Sequence, residues 1–131
     1  MFRLRLGRLG LGQRCYAQTP KPPYWAVIFT SERTANSKGY DAMSQRMVQL
    51  AEQQPGFLGV ESARETLGIT VSYWASEEAI VAWKANASHV IAQEKGKRDW
   101  YKSYSTRICR VERDYRFQKH GEEHEETKIE Y

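Results

Sequence analysis

Residues 73–104 read YWASEEAIVAWKANASHVIAQEKGKRDWYKSY, a stretch with three of the four tryptophans and the one histidine outside the C-terminal tail. Tyr73 and Trp74 close a β-rich run that begins at Leu67. Ser76 suits an N-cap, and Glu77 and Glu78 suit the positive end of the helix that follows. Ile80, Trp83, Ala87, Val90 and Ile91 recur at helical spacing and form its apolar stripe. Gly96 and the basic run Lys95–Arg98 mark a bend or an end. Beyond them, 105–117 alternates. Cys109, Val111, Tyr115 and Phe117 fall on one face, and Arg110, Glu112, Asp114 and Arg116 on the other, as in a last strand with one wet face.

Working back from Leu67, residues 57–63 read as a strand joined to 67–74 by the short hairpin loop Arg64-Glu65-Thr66. Tyr40, Met43, Met47 and Leu50 recur at three and four, which predicts a helix over 40–54, ended by Pro55-Gly56. A polar loop, 32–39, precedes it. Residues 24–31, YWAVIFTS, are β-rich and apolar on both faces, as in a central strand packed on two sides. The resulting order, β-α-β-β-α-β, is the ferredoxin-like split βαβ arrangement, an α+β fold with an antiparallel sheet. Two helices cover one sheet face. The other still carries Trp25, Val27 and Phe29 or their alternates, and an apolar face of that size calls for a partner. A second copy packed sheet to sheet predicts a homodimer.

The chain has 131 residues and a net charge of +4. Arg3, Arg5, Arg8 and Arg14 lie in residues 1–18 with no acid beside them, and the remaining 16 basic side chains balance the 16 acidic ones. The folded body is therefore neutral and lacks the basic footprint of a nucleic-acid binder. No run approaches the roughly 18 apolar residues of a membrane span. Residues 1–23 form an Arg-rich leader and a Pro-rich linker with Pro20, Pro22 and Pro23. Arg-rich, acid-free composition is the mark of a mitochondrial presequence, which would place the protein in the matrix. Three glycines and a poor segregation of Leu and Arg fit a plain disordered arm on a cytoplasmic protein equally well. The domain runs from 24 to 117. Residues 118–131, QKHGEEHEETKIEY, read as an acidic disordered tail. His120 and His124 are four apart, but Gly121 stands where a zinc-protease helix carries Glu. Two cysteines, Cys15 and Cys109, make neither a disulfide framework nor a zinc pattern.

Between Pro23 and Phe117, the element order together with QQPGFLGVES, ITVSYWASEEAIVAWKANASH and WYKSYSTRICRVERDY resembles the antibiotic biosynthesis monooxygenase (ABM) domain family, in particular its small single-domain members. The resemblance implies a dimeric α+β barrel with a cleft between sheet and helices in each subunit. It implies either cofactor-free oxygenation of polycyclic aromatic or quinol substrates, or haem binding and oxidative haem opening. Haem-degrading members place a Trp on this helix and the iron-ligating His ten residues later. Here Trp83 matches the Trp, Gln93 stands ten residues on, and His89 comes one helical turn earlier.

The candidate site residues follow from that helix. His89 is a candidate base, because a neutral imidazole near pH 7 can take a proton from a phenolic substrate or ligate iron. It lies half a turn from the stripe of an unbroken helix, so it equally suits a solvent-facing position. Trp83 and Trp74 can stack on a flat ligand or fill the core, as Trp on an apolar stripe does most often. Tyr24, Trp25 and Tyr73 share that ambiguity. Asn36 can orient oxygen or a carbonyl, or simply make a turn. The expected function is that of an ABM-type monooxygenase acting on an aromatic or quinone-like small molecule, with neither metal nor flavin. A haem protein and a non-enzymatic dimeric module that binds a hydrophobic molecule are the alternatives.

Overall fold

The hydrophobic pattern folds into β1 (Tyr24–Arg33), α1 (Tyr40–Glu52), β2 (Phe57–Arg64), β3 (Leu67–Trp74), α2 (Glu77–Gln93) and β4 (Tyr101–Val111). The computed structural model describes residues 16–93 and 100–119, apart from the side chains of 88–93. The strands form one antiparallel sheet in the order β2-β3-β1-β4, which is the expected ferredoxin-like topology. No helix among the described residues is long and apolar enough to cross a membrane.

Register decides which side chains share a face, because successive strand residues point to opposite sides. Trp25, Val27 and Phe29 of β1 pair with Trp74, Ser72 and Thr70 of β3, and Val27, Phe29 and Ser31 pair with Ile108, Thr106 and Tyr104 of β4. Trp25 and Val27 pack against a buried cluster of Ala51, Trp74 and Ile80, so this is the face beneath the helices. The far face carries the alternates, including Tyr24, Ala26, Ile28 and Thr30 from β1, with Tyr73, Val71 and Ile69 of β3 opposite the last three.

Two glycines make the connections possible. Gly39 precedes α1 in the left-handed region at φ 77° and lets the chain enter the helix without a side-chain cap. Gly56 ends the α1–β2 turn at φ 84°. A Cβ there would stand 2.7 Å from the Ala79 Cβ, so the first turn of α2 closes directly onto the Gly56 backbone. The Ala75 N–H donates to Gly56 O at 2.8 Å. Ser76 caps α2 as expected, its Oγ accepting from the Ala79 N–H at 3.1 Å.

β4 differs from the expected 105–117. It starts at Tyr101, opposite Arg33, and ends at Val111, opposite Tyr24. Alternation continues to Phe117, but β1 begins at Tyr24, directly after Pro22 and Pro23, and supplies no partner further on. Residues 114–116 instead meet the end of the N-terminal arm. The Tyr24 hydroxyl donates to Asp114 Oδ2 at 2.8 Å, and Arg116 donates to Thr19 O at 3.1 Å. Across the far face, the Ala17 N–H donates to Glu61 Oε2 at 2.9 Å, while the Tyr73 hydroxyl donates to the other oxygen of the same carboxylate. The last residues of the leader and linker thus lie on the sheet. The presequence expectation concerns residues mostly outside those described, and so do His120 and His124.

Gly56→Ala should destabilise the fold by about 2 kcal/mol, from left-handed backbone strain and the collision with Ala79. Urea unfolding of the variant measures it, and an unchanged midpoint would mean the turn relaxes freely. A second expectation concerns alkaline pH. Burial first, and then the bond and charge of Glu61, push the Tyr73 phenol well above its ordinary value. Burial also raises Tyr24. The fold favours the neutral phenols, so their contribution is whole below the unfolded value of about 10 and is lost as pH rises beyond it. Unfolding free energy should fall above about pH 10, and Tyr73→Phe should flatten part of that slope. A slope identical in the variant would contradict the assignment.

Candidate functional site

The helices are fastened to the sheet at its two ends. At one end Trp74 is 0% exposed, packed with Ile80 and Ala51 and flanked by Phe57, Trp25 and Trp83. Its Nε1 donates to Ser72 Oγ at 2.9 Å, which satisfies the one polar atom that this burial removes from water. At the other end Met43 and Trp100 are buried among Tyr40, Met47, Leu50 and Tyr101. Trp100 Nε1 donates to Lys38 O at 2.8 Å, and the Thr34 N–H donates to Trp100 O at 2.9 Å.

Between these two clusters, several described side chains on the helix side of the sheet are not fully buried. Phe29, Val60, Ser62, Thr70 and Ser72 are half-buried there, and Ile108 on β4 is 51% exposed. Aromatic rings border this strip. The Phe29 ring lies 5.7 Å from Tyr101 and 5.5 Å from Tyr104, and Tyr101 lies 5.9 Å from both Tyr104 and Tyr40. These centroid separations are those of favourable edge and offset ring pairs. Tyr104 is 55% exposed at the open margin. The strip therefore combines aromatic surface with a few hydroxyl groups, the usual make-up of a site for a small, largely apolar molecule.

Tyr101 has a defined protonation state. Burial, and then its hydrogen bond and proximity to Tyr40, raise its hydroxyl well above the ordinary tyrosine value, and the charges of Arg64 and Arg33 offset only part of this. At neutral pH it is a phenol able to donate a hydrogen bond and unsuited to accept a proton as a base.

The structure brings together Trp74 and Trp83, whose rings stack 5.8 Å apart at 25°. Trp74 offers no surface of its own, whereas Trp83 is half-buried on α2. Asn36 stands apart in the exposed β1–α1 loop, where its Oδ1 accepts from the Lys38 N–H at 3.2 Å, which is turn chemistry. His89 lies on α2, six residues after Trp83, and its side chain is outside those described. Tyr24 and Tyr73 meet edge to face at 5.8 Å on the far side of the sheet.

Sequence reasoning did not single out Phe29, Tyr101 and Tyr104 as a group. Starting the last strand at Ser105 left Tyr101 and Tyr104 outside it, and only the pairing of Arg33 with Tyr101 and of Ser31 with Tyr104 brings them beside Phe29. The signal available was the alternation of β1, which puts Phe29 on the same face as Trp25 and Val27.

Residues 37–95 match the model of the antibiotic biosynthesis monooxygenase family. An uncharacterized protein of Bacillus subtilis, YqjZ, is 52% identical over 104 residues, which span 78% of this chain and 91% of that protein. Among solved structures, the fold is similar to SnoaB, a cofactor-independent oxygenase from Streptomyces nogalater, with a TM-score of 0.59 at 11% identity over 71% of this chain and 97% of that one. It is also similar to a MhuD mutant with two manganese protoporphyrin IX molecules bound per active site, with a TM-score of 0.56 at 22% identity over 69% and 96%. At these identities the structural likeness establishes the fold alone. The element order, the α1–α2 match and the close Bacillus relative together assign the chain to the antibiotic biosynthesis monooxygenase family.

Proposed function

We propose that this protein is a monooxygenase that oxidises a flat aromatic or quinone-like molecule, using neither metal nor flavin, on the helix side of the sheet. The observation that carries the reading is the half-buried strip between the two packed clusters, bordered by Phe29, Tyr101 and Tyr104. Similarity of fold to a cofactor-independent oxygenase supports it.

Such chemistry requires the substrate to lose a proton and then pass electrons to O₂ itself. A CH₂ flanked by aromatic rings becomes C=O, one oxygen atom stays in the product, and the other leaves as water. The protein's part is to hold the ring system, take the proton and stabilise the negative oxygen. In this assignment His89 takes the proton, Trp83 is a wall backed by Trp74, and the Tyr101 ring, its hydroxyl hydrogen-bonded to Tyr40, borders the substrate. Asn36, engaged in its own turn, is left out. A second copy covers the end of the far face beyond the N-terminal arm, where Leu67 is 46% and Ile69 42% exposed, and completes a homodimer.

A second reading, haem binding, rests on the fold shared with the porphyrin-bound MhuD mutant. His89 is the only histidine between residues 16 and 119, so it would be the residue that holds the iron.

Oxygen uptake with an anthrone, with no metal or flavin added, tests the first reading. His89→Ala should lower turnover about a hundredfold or more while the variant stays folded. Full activity in the variant removes His89 from the mechanism. No uptake, together with a hemin Soret shift lost in His89→Ala, would establish the haem reading instead. For the dimer, Ile69→Lys should halve the mass measured by light scattering. An unchanged mass would place the interface elsewhere.

A further inference from the structure

A second site lies at the end of the sheet where β1 and β2 finish. Arg33 ends β1 and Arg64 ends β2, and β3 runs between their strands with Gly68 paired to both Ser31 and Arg64. Gly68 leaves the room that Arg64 uses. A Cβ there would stand 2.1 Å from the Arg64 Cζ, so any other residue would push the guanidinium aside. Arg64 crosses that gap and donates to Ser31 O at 3.3 Å and to Ser31 Oγ, and Ser31 is 1% exposed. The Arg33 Cζ lies 3.5 Å from the centre of the Tyr40 ring, and the Arg64 Cζ lies 6.0 Å from the same centre. One tyrosine ring thus has two half-buried guanidiniums within 6.0 Å of its centre.

Neither arginine has a carboxylate partner among the described residues, where the ion pairs are Arg110–Glu112 and Arg116–Asp114. Arg33 Nε is shielded from solvent and has no hydrogen-bond partner there. Like charges held together and partly desolvated cost free energy unless an anion offsets them. The two side chains line a groove of about 410 Å³, together with Thr34, Ser37, Thr66 and one acid, Glu65. Its make-up is two guanidinium forks and three hydroxyl-bearing residues around a space large enough for a small molecule.

We propose that this groove is an oxyanion site, in which Arg33 and Arg64 bind the carboxylate or phosphate group of a small organic anion. Guanidinium presents paired donors that match both groups, and the flat Tyr40 ring beneath Arg33 fixes the plane of one fork. The Thr34, Ser37 and Thr66 hydroxyls serve the remaining oxygens. Glu65 on the rim opposes the anion and keeps the site from holding one too tightly to release. The groove adjoins the aromatic strip on the same face of the sheet, with Tyr40 between Arg33 and Tyr101, and its anion binding stands whether or not the strip oxidises a substrate.

Calorimetric titration of the full chain at low ionic strength, with inorganic phosphate and separately with benzoate, tests the proposal. Saturable binding at one site per chain is expected, weakened about tenfold or more in Arg33→Gln and less in Arg33→Lys. Glu65→Gln should tighten it about twofold or more, a gain that misfolding cannot imitate. Arg64→Gln also removes the bonds to Ser31, so Arg33→Gln is the deciding variant. Tighter benzoate binding makes the ligand a carboxylate, and tighter phosphate binding makes it a phosphate. No saturable binding of either probe, or equal binding by the wild type and Arg33→Gln, overturns the proposal. Nothing in the titration is oxidised, so its failure leaves the oxygenase reading intact.

Discussion

Complete burial of the Trp74 indole is the constraint on which the rest of the structure depends. A ring of that size at the end of β3 needs apolar cover from every side, and it gets this from Phe57 on β2, Trp25 on β1, and Ile80 and Trp83 on α2. Its N–H needs an acceptor, and Ser72, two residues back on the same face, provides one. α2 can come close enough only because Gly56 has no Cβ to meet Ala79. The start of α2 is thereby pinned to the sheet, and the direction of the helix is set from that point. Removing such a ring from a core costs about 3–5 kcal/mol, a large share of the stability of a domain this size.

The opposite end is closed by different chemistry. Trp100 follows the α2–β4 connection and docks on Met43 and Tyr40 of α1, with its N–H on Lys38 O. Between the two anchored ends, the described side chains Phe29, Val60, Ser62, Thr70 and Ser72 on the helix-side sheet face are half-buried. The side chains on that face change along β1 from Trp25 and Val27, packed in the core, to Phe29, which meets only rings from Tyr101 and Tyr104 among its aromatic neighbours. One strand therefore serves the core at its start and, in the proposed function, recognition further along. At its end, Arg33 adds charge.

Much of this was legible in the sequence. The two helices show as apolar spacing at 40–50 and 80–91, and the Ser76-Glu77-Glu78 start of α2 was read from its capping chemistry. The turn at Gly56 and the β2–β3 hairpin were marked by their residue types, although Arg64, read as loop, ends β2 and leaves only 65–66 between the strands. β4 was misplaced because alternation in Tyr115 and Phe117 is a property of one strand, whereas pairing needs a partner, and β1 provides none before Tyr24. The site was less legible for a related reason. Trp74 and Trp83 stand out by type, yet Trp74 is spent wholly on the core. Phe29, Tyr101 and Tyr104 are unremarkable until register sets them side by side. The Arg33–Arg64 pair was hidden too, since the vacancy at Gly68 that lets Arg64 reach Ser31 exists only in the folded sheet. His89 stands out by its chemistry, and its side chain lies outside those described.

The central claim is that a flat apolar molecule occupies the helix-side strip between the two tryptophan-centred clusters. Amide chemical-shift mapping with a naphthoquinone titrated into the labelled protein tests it most directly. The account predicts saturable shifts centred on Phe29, Thr70, Ser72, Tyr104 and Thr106, with the far-face residues Ile28, Ile69 and Val71 unmoved. Shifts confined to the far face, or none at all, would contradict it.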